Sequence, residues 1–305
     1  MTYLPDEFVK TIKSVHKENG QRWLNHFEQL IKHCEEKWEL KIQPPYELSY
    51  NFVAPAVRAD GSKVVVKLVV PGDEGFQKEV EALKHFNGQG IIRLLDEESE
   101  NGIMILEHVS PGEKLASIKN DDEATLIMAQ VMKRLWKSPP NNTSIQTIFE
   151  REKDFQKIRL THKDGVGPLT KTMLIEAEEI FSRLISTMKG LYLLHGDFHH
   201  YNVLSINQKD WIVIDPKGLI GEREYDVIQF LLNKLPDDQV EKLIERRINI
   251  LVDYLHLNKE RILLWGYCHS ILSLYWDIED FGVPNEKTFE VITIFKNLYN
   301  KLYEV

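Results

Sequence analysis

The sequence predicts an α+β fold of two lobes, with a small β-rich amino-terminal lobe and a larger, mainly helical carboxy-terminal lobe. The chain has 305 residues, and a single hydrophobic core stops growing beyond about 250–300 residues. Short β-branched runs are concentrated between residues 46 and 109, whereas stretches with helical periodicity occupy most of the chain after residue 110. We therefore expect two lobes, formed by residues 1–109 and 110–305.

The amino-terminal lobe is expected to begin with helices. Apolar residues recur at spacings of three and four over residues 6–38, with a predicted break at Gly20. After this region the residue pattern becomes typical of β-structure, and we expect a strand over residues 46–53 that continues over residues 54–58. A helical leader thus precedes the sheet.

The rest of this lobe is predicted to complete a small sheet with one helix. The β-branched run 64–66 has Lys67 at its end, after an Asp60-Gly61 turn that is typical of a hairpin. Residues 76–86 have the pattern of a short helix, and this helix contains Glu79. Two more apolar strands are expected, over residues 91–95 and 103–106.

The second lobe is predicted to consist of amphipathic helices and one short hairpin. Asn120 is a typical helix cap, and a further helix is expected over residues 172–190 after a loop at residues 165–168. Two short strands, at residues 202–206 and 211–215, form the hairpin. The last helices are expected to begin near residues 236–238 and at residue 258.

Composition and charge narrow the class of protein. Hydrophobic residues make up 43% of the chain and charged residues 28%, which is ordinary globular usage and excludes a disordered or fibrous chain. The net charge is −9, which disfavours a protein that binds nucleic-acid phosphates and favours a cationic partner. No nucleic-acid partner is therefore expected.

Cysteine usage and the chain start predict a cytoplasmic protein. Cys34 and Cys268 are the only cysteines, too few for a disulfide framework. The amino terminus lacks the basic and apolar segments of a signal peptide, and no apolar run approaches the roughly 20 residues that span a bilayer. We expect no membrane association.

One polar cluster in an apolar stretch carries the residues expected to perform chemistry. Asp197 is followed by Asn202 five positions later and by Asp215 thirteen positions after that, with Asn202 and Asp215 facing each other across the predicted hairpin. Phosphoryl transfer needs such groups, because the protein mainly positions Mg²⁺, the nucleotide and the attacking hydroxyl. Asp197 could accept the hydroxyl proton, while Asn202 and Asp215 could supply oxygen ligands to Mg²⁺.

The same residues reveal a family resemblance. Asp197 and Asn202 match the Asp-x-x-x-x-Asn of the kinase catalytic loop, and Asp215-Pro216-Lys217-Gly218 stands where kinases have Asp-Phe-Gly. Over about residues 46–230 the chain resembles the aminoglycoside phosphotransferase family, and within it the streptomycin 6-phosphotransferase and hydroxyurea kinase branch. The resemblance implies a two-lobed protein-kinase-like fold that uses ATP and Mg²⁺, with nucleotide on the amino-terminal sheet and the acceptor pocket in the second lobe.

The resemblance also assigns roles upstream. Lys67, at the end of a Val-Val-Val-Lys strand, would contact the α- and β-phosphates, and Glu79 on the following helix would pair with it. Glu81 is the competing choice, but Glu79 has the kinase-like spacing. The segment from Glu107 to Val109 is similar to the interlobe hinge, where the Glu107 carbonyl and the Val109 amide would bind adenine.

Two departures from protein kinases point to a small acceptor. Gly196 precedes the catalytic aspartate where protein kinases have an arginine that pairs with an activation-loop phosphate. Only eleven positions separate Asp215 from Asp226, too few for an activation loop and a peptide-docking platform. We expect a small-molecule acceptor and no regulation by activation-loop phosphorylation.

Three acids near the carboxy terminus are candidates for contact with a cationic acceptor. Asp277, Glu279 and Asp280 could bind the ammonium or guanidinium groups of an aminoglycoside. The alternative reading, a solvated acidic loop, stays open.

The function predicted from sequence is an ATP- and Mg²⁺-dependent kinase that phosphorylates a hydroxyl of a small, cationic molecule of the aminoglycoside type. Homoserine, choline-like and sugar acceptors remain alternatives. So does a non-catalytic nucleotide-binding module of the same fold. A third alternative is a metal-dependent hydrolase built on His195, His199, Asp197 and Asp215.

Overall fold

A computed structural model describes residues 4–141, 143–207 and 209–303 of the protein. Its amino-terminal part contains α1 (Asp6–Asn25), α2 (Phe27–Lys37), β1 (Leu40–Ile42), β2 (Phe52–Arg58), β3 (Lys63–Leu68), α3 (Glu74–Phe86), β4 (Leu94–Glu98) and β5 (Ile103–Glu107). The strands form one antiparallel sheet in the order β1-β2-β3-β5-β4.

The carboxy-terminal part is mostly helical, so the predicted α+β class is confirmed. Its elements are α4 (Asp121–Leu135), α5 (Phe149–Thr161), β6 (Gly165–Val166), β7 (Leu169–Thr170), α6 (Lys171–Ser186), β8 (Tyr192–Leu194), β9 (Val203–Ser205), β10 (Trp211–Val213), β11 (Leu219–Gly221), α7 (Arg223–Asp226), α8 (Ile228–Leu231), α9 (Val240–Leu255), α10 (Lys259–Phe281) and α11 (Glu286–Tyr303). As predicted, Asn120 caps α4 and Asn258 caps α10 through their side chains.

Alternate residues of the central strands enter two different hydrophobic cores. On β5, Ile103 and Ile105 pack in a core with residues of α1 and α2, whereas Met104 and Leu106 belong to a core that continues through α3 into the helical part. The even-numbered residues of β3 lie in the first of these cores. Because successive strand residues point to opposite faces, Lys67 lies on the face of the sheet that carries α3.

The predicted break at Gly20 is wrong. The first helix departs from helical geometry at Lys17, where φ is 50° and ψ is −122°. A Cβ atom on Gly20 would lie 2.4 Å from the Ile12 carbonyl oxygen. Gly20 therefore allows two segments of the backbone to approach closely, and the chain turns three residues earlier.

The strand predicted over residues 46–53 begins only at Phe52, and the short strand β1 was not predicted. Pro44 and Pro45 lack the N–H groups that a β-ladder uses, and three residues are too few for a recognisable alternation.

The strand predicted over residues 91–95 begins later than expected. Ile91 forms a bridge with Val213 of β10, and β4 begins at Leu94.

The stretch at residues 165–168, expected to be a loop, contributes to a minimal hairpin. β6 and β7 pair with the register Gly165↔Thr170 and Val166↔Leu169. Such short strands have no periodicity that a sequence pattern could reveal.

Two small β-pairs in the helical part bring the polar cluster together. β8 pairs with β11, with Leu194 opposite Leu219, and β9 pairs with β10, with Val203 opposite Val213. The segment 195–202 joins β8 to β9, and the segment 214–218 joins β10 to β11. The two connecting segments, 195–202 and 214–218, therefore both run between the same ends of the two strand pairs and lie side by side.

Within the described ranges, none of the helices combines the length and the apolar character that crossing a bilayer requires.

We predict that Arg247→Met strongly destabilises the helical part. Arg247 is fully buried and binds both carboxylate oxygens of Asp121, with Nη2···Oδ1 at 2.5 Å and Nε···Oδ2 at 3.0 Å, as well as the Asn233 carbonyl at 2.8 Å. The substitution leaves a mostly buried carboxylate without its partner, so the free energy of unfolding measured in urea should fall by about 3–5 kcal/mol.

The neighbouring residue provides a matched control. Arg246 pairs with Asp122 at the surface, where the two side chains are 54% and 47% exposed. Arg246→Met should change the free energy of unfolding by less than about 1 kcal/mol. Equal effects of the two substitutions would contradict the structural role given to Arg247.

Candidate active site

The two segments that carry the polar cluster are joined by backbone hydrogen bonds. The His195 carbonyl accepts from the N–H groups of Lys217 and Gly218, at 2.9 and 3.0 Å, and the Asn202 carbonyl accepts from Ile214 at 2.9 Å. These bonds bring the 195–202 segment, called the catalytic loop from here on, alongside the segment that contains Asp215. The loop thus lies at the junction of the two β-pairs.

Lys67 connects the sheet to this junction. Its Nζ atom lies 2.7 Å from both carboxylate oxygens of Glu79 and 3.1 Å from Oδ1 of Asp215. Lys67 is only 3% exposed. The structure therefore places these three predicted site residues together. The competing Glu81 points elsewhere, with Oε1 3.0 Å from the Ser144 amide nitrogen.

Opposing influences act on the pKa of Lys67 and of Asp215. Burial alone lowers the pKa of the Lys67 ammonium, but the carboxylates of Asp215 and Glu79 outweigh it and raise that pKa. Burial raises the pKa of Asp215, and the nearby Lys67 reverses this and lowers it. Burial also raises the pKa of Glu79, although the nearby Lys67 acts in the opposite direction. The Lys67 ammonium and the Asp215 carboxylate are thus each held as ions by the other.

Asp215 retains access to the cleft. Its side chain is 44% exposed although one oxygen contacts Lys67. Its backbone has a φ of 57°, in the left-handed region that non-glycine residues rarely adopt. Strained residues of this kind cluster at functional sites, where the surrounding structure holds them in place.

Asn202 and Asp197 are linked within the catalytic loop. Asn202 Nδ2 donates to the Asp197 backbone carbonyl at 3.0 Å, which occupies the amide nitrogen and orients the side chain. The Asp197 carboxylate lies 3.7 Å from His199 Nε2, and its side chain is 26% exposed. The Asp197 carboxylate is thus accessible to a small molecule, whereas Asn202 is buried and fixed by its bond to the Asp197 backbone.

The donor set fits Mg²⁺. Asn202 and Asp215 supply uncharged and anionic oxygen atoms from the two sides of the β9–β10 hairpin, next to the buried ammonium of Lys67. Mg²⁺ is commonly held by one or two carboxylates together with substrate phosphates and water. Two protein side chains are therefore sufficient.

Asp226 braces the catalytic loop. This buried carboxylate accepts from the backbone N–H groups of His195 and Gly196, at 3.1 and 2.9 Å, and from Nε1 of Trp136 at 2.8 Å. Gly196 has a φ of 81°, which allows the turn that presents its N–H to Asp226. Sequence reasoning missed Trp136, because it lies at the end of α4, far from the motif.

His195 also supports the loop from within. It is fully buried, its Nε2 atom lies 2.9 Å from the Ile214 carbonyl, and its Nδ1 accepts from the Asp197 amide at 3.2 Å. Burial lowers the pKa of this imidazole, although Asp226 and Asp197 act in the opposite direction. A neutral ring with both nitrogens engaged by the backbone suits a structural role.

The predicted hinge residues lie at the end of the sheet. Glu107 is the last residue of β5 and stands opposite Val64 on β3. Its side chain pairs with Arg93 at 3.1 Å. Val109 is half-buried and packs against the larger core. Their roles in adenine binding stay predictions.

The three carboxy-terminal acids lie on the last turns of α10, not in a loop. Glu279 is 3.5 Å from Lys157 of α5, and Asp277 is 3.5 Å from the Thr288 hydroxyl. Asp280 is exposed. Burial, with a contribution from Asp280, raises the pKa of Asp277. Among the residues that the structure describes, no hydrogen bond or ion pair joins these acids to the catalytic loop, so their role in acceptor binding stays a prediction.

Among the described residues, no group of three or more histidine, cysteine, aspartate or glutamate side chains could hold a metal ion. The hydrolase alternative, which needs His195, His199, Asp197 and Asp215 as joint ligands, therefore receives no support. His195 is already engaged by the backbone on both nitrogens.

Residues 41–281 match the model of a family described as aminoglycoside/hydroxyurea antibiotic resistance kinase. The streptomycin 6-kinase of Streptomyces griseus is 27% identical over 287 residues, which cover 91% of this chain and 92% of that protein. The hydroxyurea phosphotransferase of Kitasatospora aureofaciens is 27% identical over 80% of this chain and 71% of its own length.

Solved structures resemble the protein in fold. An aminoglycoside phosphotransferase in ternary complex with ADP and hygromycin B has a TM-score of 0.64 at 14% identity, covering 91% of this chain and 100% of its own. An ethanolamine kinase of Plasmodium vivax has a TM-score of 0.62 at 14% identity, over 98% and 95% of the two chains. The predicted two-lobed kinase-like fold is confirmed.

We predict that His200, a buried residue of the catalytic loop, makes stability fall in acid. Burial, reinforced by Arg247, lowers the pKa of this histidine to about 3, whereas an unfolded histidine titrates near 6.5. Between these values the unfolded chain binds the extra proton, so stability is lost as the pH falls. From pH 7 to pH 5 the loss due to His200 should be about 2 kcal/mol.

The measurement is urea unfolding at both pH values for the parent and for His200→Gln. The substitution removes the titrating ring, which stacks on Phe230 at 4.1 Å and bonds Asn233 Oδ1 at 2.9 Å. The variant should lose less stability on acidification than the parent. An identical pH dependence would show that His200 is not the responsible group.

Proposed function

The chain belongs to the aminoglycoside/hydroxyurea antibiotic resistance kinase family, and we propose that it transfers the γ-phosphate of ATP, with Mg²⁺, to a hydroxyl of an aminoglycoside-type antibiotic. One observation carries the proposal. Lys67 on the sheet contacts both Glu79 on α3 and Asp215, which lies 148 positions away beside the catalytic loop. This contact assembles a cation and the proposed metal-binding carboxylate in one place.

The nucleotide is proposed to lie between the sheet and the catalytic loop. Lys67 would contact the α- and β-phosphates, because its ammonium remains charged and is anchored by Glu79. The Glu107 carbonyl and the Val109 amide would bind the adenine edge through the backbone. The Arg93 pairing keeps the Glu107 side chain away from that edge.

Asn202 and Asp215 are the proposed ligands of Mg²⁺. The ion, when bound, neutralises charge that develops on the phosphate oxygens. Asn202 is oriented by its bond to the Asp197 carbonyl. Asp215 is kept deprotonated by Lys67, so it can serve as a ligand across the ordinary range of pH.

Asp197 is the proposed catalytic base. It would accept a hydrogen bond from the acceptor hydroxyl and take its proton as the phosphoryl group is transferred. The Asp226 carboxylate holds the backbone of the loop on which Asp197 stands. Because the loop is already held in place, the protein needs little reorganisation to bring the base to the reacting hydroxyl. Groups positioned in advance in this way accelerate phosphoryl transfer.

The proposed acceptor class rests on charge and on the relatives. The chain has a net charge of −9, and the acids at the end of α10 are partly exposed, which suits a polycationic antibiotic. Two curated relatives are named streptomycin 6-kinases and one a hydroxyurea phosphotransferase. Streptomycin-like aminoglycosides are therefore the first acceptors to test, with hydroxyurea as the second candidate.

The experiment that tests the function is a coupled assay of ADP release with streptomycin-like aminoglycosides, hydroxyurea, choline, homoserine and simple sugars. We expect turnover with an aminoglycoside and a phosphorylated product detectable by mass spectrometry. Asp197→Ala should lower turnover by about 10²–10⁴-fold, while the affinity for ATP is preserved. Turnover only with a non-antibiotic acceptor would contradict the acceptor class, and unchanged turnover in the variant would contradict the base.

The metal assignment has a separate test. Asp215→Asn removes the proposed anionic ligand, so calorimetric titration of ATP should show an affinity that no longer rises when Mg²⁺ is added. The parent should bind ATP more tightly with Mg²⁺ than with EDTA. A variant that retains the full Mg²⁺ effect would exclude Asp215 as a ligand.

A further inference from the structure

We propose that the helical part contains a second binding site, distinct from the catalytic cleft, for a small molecule that joins an anionic oxygen group to a flat apolar body. The site is a cavity of about 380 Å³ whose lining includes Lys133, Trp136, Tyr192, Arg223 and Tyr254. This volume lies in the range of small-molecule sites, about 300–1,000 Å³. None of the proposed catalytic residues lines it.

The charges around the cavity favour an anion. Its lining contains Lys133 and Arg223 but no aspartate or glutamate. Within the described part of the chain, neither of these two side chains makes a hydrogen bond or an ion pair, although each lies over aromatic rings. Two uncompensated cations in a chain with a net charge of −9 form a local site of opposite sign.

The aromatic rings orient these cations. The Arg223 guanidinium carbon lies 5.6 Å from the ring centroid of Trp136 and 5.2 Å from that of Tyr192, and Lys133 Nζ lies 5.4 Å from that of Tyr254. Cation–π contacts of this kind use the faces of the guanidinium and leave its N–H donors available. Planar N–H pairs match the oxygens of a carboxylate or a phosphate.

The same contacts argue against a cationic ligand. An aromatic cage for a cation needs free ring faces, and here protein cations already lie over three of the rings. A second cation would also be repelled by Lys133 and Arg223. A flat apolar body can still pack against the apolar part of the lining, which includes Leu255.

The cavity is next to a larger one of about 660 Å³, and the two share Tyr192, Arg223 and His256 in their linings. Carboxylates line this second space, but two of them are engaged. Glu222 pairs with Arg261 at 2.7 Å, and Glu224 accepts from the Asn258 amide at 3.0 Å. The third carboxylate of this lining, Glu260, stands on the first turn of α10. Because Arg261 neutralises Glu222, that carboxylate competes little with a ligand for Arg223.

The site lies one side chain away from the brace of the catalytic loop. Trp136, whose ring lies against Arg223, donates through Nε1 to Asp226, and Asp226 binds the His195 and Gly196 amides. The proposed site is nevertheless separate from the proposed function, because it needs neither nucleotide nor acceptor. Its test can therefore succeed or fail independently of kinase activity.

The test is calorimetric titration of two probes, phenyl phosphate and benzoate, into the full chain saturated with ADP and Mg²⁺. ADP keeps the probes out of the nucleotide site, and the two probes distinguish a phosphate group from a carboxylate. We expect at least one probe to bind in the millimolar range or tighter. Absence of binding by both probes overturns the proposal.

Variants locate the binding. Arg223→Met should lower the affinity for the probe at least tenfold, and Lys133→Met should lower it less. Arg246→Met, which changes a surface arginine outside the cavity, should leave the affinity unchanged. Arg223→Lys keeps the positive charge but loses the paired N–H donors, so this variant should retain part of the affinity. It also provides the test if Arg223→Met does not fold. Equal affinity of the parent and both Arg223 variants overturns the proposal.

Discussion

The contact of one lysine with two carboxylates holds the functional centre together. Lys67 is nearly inaccessible, and an isolated ammonium at such a position would carry a large desolvation cost. Glu79 and Asp215 offset that cost from two different parts of the chain, so the cluster ties the sheet, α3 and the segment that contains Asp215 together. Removing one partner leaves a buried charge behind, which is far more costly than removing a surface pair.

A second constraint positions the loop itself. Asp226 accepts two backbone N–H groups at the start of the catalytic loop and one indole N–H from α4. His195 completes the arrangement, since both of its ring nitrogens bond the backbone. The proposed base Asp197 is therefore carried on a segment whose polar groups are satisfied by protein, while its own carboxylate stays partly accessible to an acceptor.

The small β-pairs explain how a short motif can act at a distance. β8–β11 and β9–β10 are only three residues long in each strand, and neither would be stable alone. They are stabilised because Leu194, Val203 and Val213 are buried in the larger core. The hydrophobic packing of the helical part thus fixes the relative positions of the catalytic loop and the segment that contains Asp215.

Sequence reasoning succeeded where a local pattern has one physical interpretation. The β-branched run of β3, the helix that carries Glu79 and the caps Asn120 and Asn258 depend on neighbours within a few residues, and the structure contains all of them. Reasoning was wrong about Gly20, because a close approach to the Ile12 carbonyl cannot be distinguished from a helix break by residue type. It also missed β1, whose three residues form a strand only because β2 lies beside them.

The amino-acid sequence by itself determined the α+β class, the succession of a small sheet and a helical part along the chain, and the identity of the charged residues that meet in the cleft. Only the tertiary structure decided that Lys67 reaches Asp215, that Trp136 supports the loop through Asp226, and that Arg223 lies between two rings beside a cavity. The reason is that local backbone preferences and periodicity act over a few residues, whereas these contacts join side chains dozens of positions apart. Their existence depends on how the cores pack.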